Sequence, residues 1–192
     1  MTLPRGFPAL LKGMQAMVML AALVIAFAMT GPAEARDLTA AERAALDQTL
    51  LDFQKAITGR QMEQVLAVVP PRIMEHIAKQ SSLDTATVRK GVIDKMSEAF
   101  ANVSIRSFKM DMATADFRQL PSGTPYVLIP TELTMEVNAK AVEAKSQTLA
   151  IIDDSAWYLL DLSAKPQVSI FTQVYPEFAG VEFGGKTMKA VP

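Results

Sequence analysis

The sequence predicts an α+β domain in which N-terminal helices pack on a curved, cone-shaped antiparallel β-sheet. Three observations carry this. Apolar residues recur at helical spacing from Leu38 to about Ala101; from Asn102 the period falls from 3.6 residues to 2; and helices come first with strands second, an order that builds layered α+β domains rather than a parallel sheet.

Ahead of the helices, residues 1–35 read as a secretory signal peptide. Arg5 and Lys12 form a positive n-region, Met14 to Met29 carry only Gln15 as a polar interruption, and Ala33-Glu34-Ala35 supplies a small-x-small cleavage site. Cleavage after Ala35 leaves 192 − 35 = 157 residues beginning at Arg36. An uncleaved signal anchor is the alternative, since the apolar run approaches the roughly 20 residues that span a bilayer. On the cleaved reading the chain is exported, periplasmic or extracellular, and touches a membrane only through the leader. Residues 36–179 then form one cone domain and residues 180–192 a loosely held, flexible tail.

Each element has its own signal. Thr39 and Glu42 make a capping box for a helix over 38–57, with Leu46, Leu50, Phe53 and Ile57 on one face and Gly59 as its stop. A short helix follows at 61–69, broken by Pro70-Pro71, and a third at 72–80 turns Ile73, Met74 and Ile77 inward. Asp84 or Thr85 caps a fourth, whose Val88, Val92, Met96 and Phe100 recur at i+4. Then Val103 and Ile105 alternate on one parity and Phe108, Met110 and Met112 on the other. One extra residue near Arg106-Ser107, a β-bulge, keeps both sets facing the core. Leu120 to Thr124 is a turn. A strand at 126–137 puts Val127, Ile129, Leu133 and Met135 on one face and Glu132, Thr134 and Glu136 on the other, with Pro130 marking an edge or a local irregularity. After a loop at 138–141, strands at 143–152 and 156–162 flank Asp153-Asp154-Ser155 and complete a meander. Pro166 opens a closing helix with Val168, Phe171 and Tyr175 inward, and Pro176 ends it.

Composition removes several chemistries. The chain has no Cys, which excludes disulfides, thiolate metal sites, thiol nucleophiles and an acylated lipoprotein Cys. With 19 basic against 20 acidic residues it lacks the basic field that holds nucleic acid. Phosphate-loop, Gly-x-Ser-x-Gly and His-Glu-x-x-His patterns are absent, and no cofactor or metal is expected.

The order of elements resembles the nuclear-transport-factor-two-like (cystatin-like cone) superfamily. The resemblance rests on the first helix ending at Ile57-Thr58-Gly59, on the short helix before Pro70-Pro71, and on the acidic turn, Trp and apolar strand of Asp153 to Leu160. It implies a cone-shaped pocket over about Leu38 to Ser163, and no particular reaction, because the superfamily holds isomerases, cyclases, dehydratases and non-catalytic exported domains. It also implies that outer sheet faces pair, giving a homodimer, through a face that Glu132, Thr134 and Glu136 make polar.

The candidate pocket residues are His76, Phe108, Met110, Met112, Tyr126, Met135 and Trp157. His76 is the one imidazole, able to change charge near neutral pH, yet it borders the apolar stripe of an ordinary amphipathic helix. Phe108, Met110, Met112, Met135 and Trp157 suit an apolar ligand and equally suit a packed core. No motif assigns Tyr126, Tyr158, Tyr175, Asp111, Asp116 or Asp161 to catalysis, and Asp153 and Asp154 read as turn chemistry. The reading is therefore an exported, non-catalytic domain that binds a small apolar ligand or a protein partner. The rivals are an isomerase, cyclase or dehydratase using carboxylate and Tyr groups in the cone, and a structural or assembly module.

Overall fold

The computed structural model of the chain describes residues 37–137 and 139–191. The expected leader, its cleavage site, Asn138 of the expected loop and the terminal Pro192 lie outside the described residues.

The first helix, α1 (Ala40–Thr58), starts where its capping box dictates. The Thr39 hydroxyl accepts the Glu42 N–H at 3.2 Å and the Glu42 carboxylate accepts the Thr39 N–H at 2.8 Å, so two orphan donors of the first turn are satisfied. Leu46, Leu50, Ala56 and Ile57 are buried, each large side chain contributing about 2 kcal/mol through the apolar area it removes from water. The helix does end at Gly59, but not by the left-handed turn expected of a glycine stop. Gly59 stays right-handed at φ −82° and Arg60 takes the left-handed step at φ 55°. What favours glycine at 59 is a close approach, since a Cβ there would crowd the Lys55 carbonyl at 3.0 Å.

Helix α2 (Met62–Ala67) leads to α3 (Pro71–Ser81), which begins one residue earlier than the sequence suggests. Pro71 occupies the first turn, where its missing N–H costs nothing. Asp84 caps α4 (Thr85–Phe100) by accepting the Thr87 N–H at 2.8 Å.

The sheet has six strands: β1 (Val103–Met110), β2 (Asp116–Gln119), β3 (Pro125–Val137), β4 (Lys140–Asp153), β5 (Ala156–Asp161) and β6 (Thr187–Val191). All pairings are antiparallel in the order β1-β3-β4-β5, with β2 also on β3 and β6 also on β4. It curls into a half-barrel, and the helices and sheet form the expected α+β architecture. The bulge is where the parity change places it: Ile105 pairs with Met135 and Ser107 with Thr134, leaving Arg106 as the extra residue. Phe108 beyond it is buried, whereas Ile105 and Met110 are half-buried. Met112 does not extend the strand. It falls in a turn, because the Asp111 carboxylate accepts the Ala113 N–H at 2.9 Å and the Thr114 hydroxyl at 2.8 Å and bends the chain away.

Pro130 lies inside the central strand β3, where a ladder donor is normally needed. Its carbonyl accepts the Asp111 N–H at 2.9 Å, just past the end of β1, and β2 resumes pairing only at Leu128. The missing donor thus falls where the neighbouring strand is interrupted. At the other end of β4, Asp154 (φ 44°) and Ser155 (φ 65°) make the mirror-image two-residue turn that fits the twist of a hairpin.

Two expectations are corrected. The strand at 126–137 is not apolar on one face alone. Tyr126, Val127, Leu128 and Ile129 are all buried, because α1 covers one face of this half of the sheet while α5 (Lys165–Val174), the 3₁₀ turn Pro176–Phe178 and α3 cover the other. The segment after Gly180, expected as a loose tail, carries β6, which pairs from Ala141↔Val191 to Lys145↔Thr187. The free edge of the long strand β4 recruits it.

Polar contacts help hold the helices to the sheet. The Trp157 indole N–H donates to the Glu42 carbonyl at 2.9 Å, fixing the start of α1. The Leu159 N–H donates to the Val68 carbonyl at 2.7 Å, placing the α2–α3 connection against the open edge of β5. At the far end, the Tyr175 hydroxyl donates to Asp153 at 2.7 Å and the Arg72 guanidinium stacks on the Tyr175 ring, 4.5 Å from its centre.

Candidate functional site

A cleft of two adjoining lobes lies between the helices and the sheet. The helical lobe, about 340 Å³, is walled by Val65, Val68 and Val69 around the α2–α3 connection, Ile73 and Ile77 of α3, and Ile170 and Phe171 of α5. The sheet lobe, about 380 Å³, lies between Ile57, Phe100 and Phe108 on one side and Thr131, Leu133, Ala144, Ser146 and Thr148 on the other. Both lobes share Phe53, Met96, Leu159, Leu160, Asp161 and Gln167, which form a waist. The Phe53 and Phe108 rings meet edge to face, 5.6 Å apart, where Gln54 of α1 also donates to the Phe108 carbonyl at 3.0 Å.

The polar groups are few and each is set by local structure. Thr131 and Thr148 are buried with their hydroxyls 2.8 Å apart, and Thr131 donates to its neighbour's carbonyl at Ile129, so the shared proton between the two comes from Thr148. Asp161 ends β5 directly opposite Thr148. One of its oxygens accepts the Ser163 N–H at 3.0 Å, and the other has no partner among the described residues. Gln167, exposed in the first turn of α5, accepts the Ala164 N–H through Oε1 at 3.1 Å, and its Nε2 donor has no partner among the described residues. Lys186 borders the sheet lobe alone and makes no ion pair among the described residues.

Of the residues proposed from sequence, Phe108 stands on the cleft wall. Met110 lines a separate polar hollow of about 480 Å³ with Gln54, Lys109, Asp111, Thr114, Pro130 and Glu132. Met112 packs half-buried in the cluster under α1, and Met135 is half-buried near the far end of β3, opposite Val142. Tyr126 is buried on the face turned toward α5, and Trp157 is committed to the core by its bond to Glu42. His76 is half-buried, with Nε2 shielded and without a hydrogen-bond partner. It lies on the line of α3 between Arg72, which donates to the Val174 carbonyl, and Gln80, which donates to Gln173, and so belongs to the seam between α3 and α5.

Several other titratable groups have structural partners. The Thr114 hydroxyl and the Ala113 N–H hold the Asp111 carboxyl below its usual range. Asp116 pairs with Arg118 at 2.6 Å, Glu136 with Arg106 and Glu132 with Lys145 across neighbouring strands. The Lys145 hydrogen bond is also what lowers the Glu132 pKa. Burial, then the bond to Asp153, pushes the Tyr175 phenol well above its ordinary value. Among the described residues no group of three or more His, Asp or Glu is placed to hold a metal ion, and no helix is long and apolar enough to cross a membrane.

Asp161, Gln167, Met96 and Phe53 were not distinguishable as site residues in the sequence. They come from four separate elements, and only the tertiary fold brings them to one waist. No protein-family model, curated protein or solved structure matches the chain. The class defined by fold and cleft is an α+β half-barrel domain with a mainly apolar, open internal site.

Proposed function

We propose that this chain is an exported, non-catalytic binding domain whose cleft takes up a small, elongated and mainly apolar molecule. The observation that carries the reading is the pair of adjoining, mainly apolar lobes, which share six wall residues and reach from the helices to the sheet. An isomerase-type enzyme would need a carboxylate beside a phenol at the reacting centre. Among the described residues the one carboxylate on the cleft wall is Asp161, while Tyr126 and Tyr158 pack in the core cluster facing α5 and Tyr175 is bound to Asp153. A curved sheet with a helix against it is also the form that the superfamily resemblance implies, although the binding reading does not depend on membership.

Titration with the neutral apolar dye Nile red tests this. The purified protein is expected to bind the dye saturably at one site, and Met96→Trp, which fills the waist, to weaken binding at least about tenfold, the equivalent of one lost well-packed contact group. A folded Met96→Trp protein that binds as the parent does would refute the reading. Export rests on the leader pattern, and intact-mass analysis of protein from the cell envelope is expected to show a chain beginning at Arg36. A retained leader in the membrane fraction would replace it with a signal anchor.

A further inference from the structure

Helix α4 is held differently from the other long helices. Only Val88 of its 16 residues is buried, whereas α3 buries three of 11 and α5 two of 10. Its other large apolar side chains, Val92, Ile93, Met96 and Phe100, stay half-buried. Polar bonds tie its neighbours to the rest of the fold: Gln54 of α1 donates to the Phe108 carbonyl, and Arg72 and Gln80 of α3 reach the Val174 carbonyl and Gln173 of α5. Among the described residues α4 makes no hydrogen bond or ion pair with another element. Its side-chain partners are local: Asp84 caps the first turn, Lys90 pairs with Asp94 and Lys95 with Glu98.

The two halves of α4 differ. Val88 packs among Ile73, Met74 and Ala78 and fixes the first half to α3. The second half is weaker by sequence. Gly91 stands exposed in mid-helix, where a Cβ would meet nothing within 4 Å, so no close approach calls for glycine and its backbone freedom loosens the turn. The last turn carries Glu98 and no basic residue, the unfavourable sign for the C-terminal end of a helix dipole. The helix then ends right-handed at Ala101, without a left-handed cap. This weaker half borders the cleft, with Met96 on the wall of both lobes and Phe100 on that of the sheet lobe.

Resting on the binding reading above, we infer that the second half of α4, residues 91–100, is the lid of the cleft: it unwinds locally to admit the ligand and rewinds over it. Few buried contacts and no polar tie let this segment open without the rest of the fold. Entry and exit both pass through the open form, whereas the free and the bound protein are both closed. A stronger helix therefore slows both rates together and leaves affinity unchanged.

Native-state hydrogen exchange is expected to find the amides of residues 92–100 at least about tenfold less protected than those of α1 and α3, as local opening requires. Saturating Nile red should slow their exchange. Gly91→Ala adds a methyl group in open space and, from the difference in helix propensity, should lower the open population about fivefold. Exchange of residues 92–100 should slow by that factor. In stopped-flow mixing the association and dissociation rates of Nile red should fall by the same factor, with Kd unchanged. Protection of α4 equal to that of α1, bound dye that leaves the α4 amides unslowed, or parental dye rates in Gly91→Ala overturns the lid and leaves the binding reading standing. Failure of the dye to bind overturns both.

Discussion

The contact between α3, β4 and α5 offers the sharpest test of how the helices are held. Tyr175 is 2% exposed and donates its hydroxyl to Asp153 at 2.7 Å, while Arg72 stands 3.6 Å from the other carboxylate oxygen. Tyr175→Phe keeps the ring against Arg72, Phe171 and Phe178 and removes only the donor to a mostly buried carboxylate. A hydrogen bond to a charged group contributes about 1.5–3 kcal/mol. Arg72 remains as a partner, but it is half exposed and worth little on its own, so the expected loss is about 2 kcal/mol. For a domain of this size that lowers Tm by about 4–8 °C. The pH dependence has a definite sign. Burial and the Asp153 bond raise the folded-state pKa above the ordinary value of 10.0, so the native advantage is complete below about pH 10. It is then lost as pH rises toward the folded value, because the unfolded chain ionises first. Urea unfolding of both proteins, followed by Trp157 fluorescence from neutral pH to about pH 11, measures both effects. A loss below about 0.5 kcal/mol at neutral pH, or a difference between the proteins that stays constant into the alkaline range, would refute the assignment.

Two further outcomes are expected. Deleting Arg106 removes the extra residue of the bulge and leaves Ile105 and Phe108 on the same face, so the protein should still fold, whereas deleting Lys109 turns Met110 to the opposite face and should destabilise it more; equal costs in urea unfolding would contradict the bulge. His76→Gln should stay within about 0.5 kcal/mol of the parent and bind Nile red equally, and a lost binding signal in a stably folded variant would bring His76 back to the centre of the site.

Much of the fold was legible because local chemistry and tertiary packing agree. Thr39 with Glu42 and Asp84 with Thr87 announce helix starts through side-chain acceptors, and the parity change at Arg106 announces the bulge because only one residue of offset keeps Phe108 inward. The two-sided burial of β3 was present in the unbroken apolar run Tyr126 to Ile129, the mark of a strand covered on both faces, but alternation further along the same strand points to a single face. β6 was not legible. Thr187 to Val191 is short, its side chains are largely exposed, and its place depends on the free edge of a strand some forty residues earlier. The candidate site fared likewise. Residue type selected Met and aromatic side chains, most of which the core absorbs, whereas Asp161 and Gln167 owe their position to a strand end and a helix cap meeting across β5 and α5.

The bond between the Trp157 indole and the Glu42 carbonyl joins residues 115 positions apart. A ribosome adding about 5–20 residues per second therefore makes α1 roughly 6–23 s before the strand that anchors it exists. During that interval the Leu46 and Leu50 stripe has no sheet to cover it, since Val127, Ile129, Ala150 and Leu159 also arrive later. The nascent chain spends most of its synthesis with its first helix unprotected, so newly made protein is exposed to aggregation and to chaperone capture chiefly through its N-terminal third.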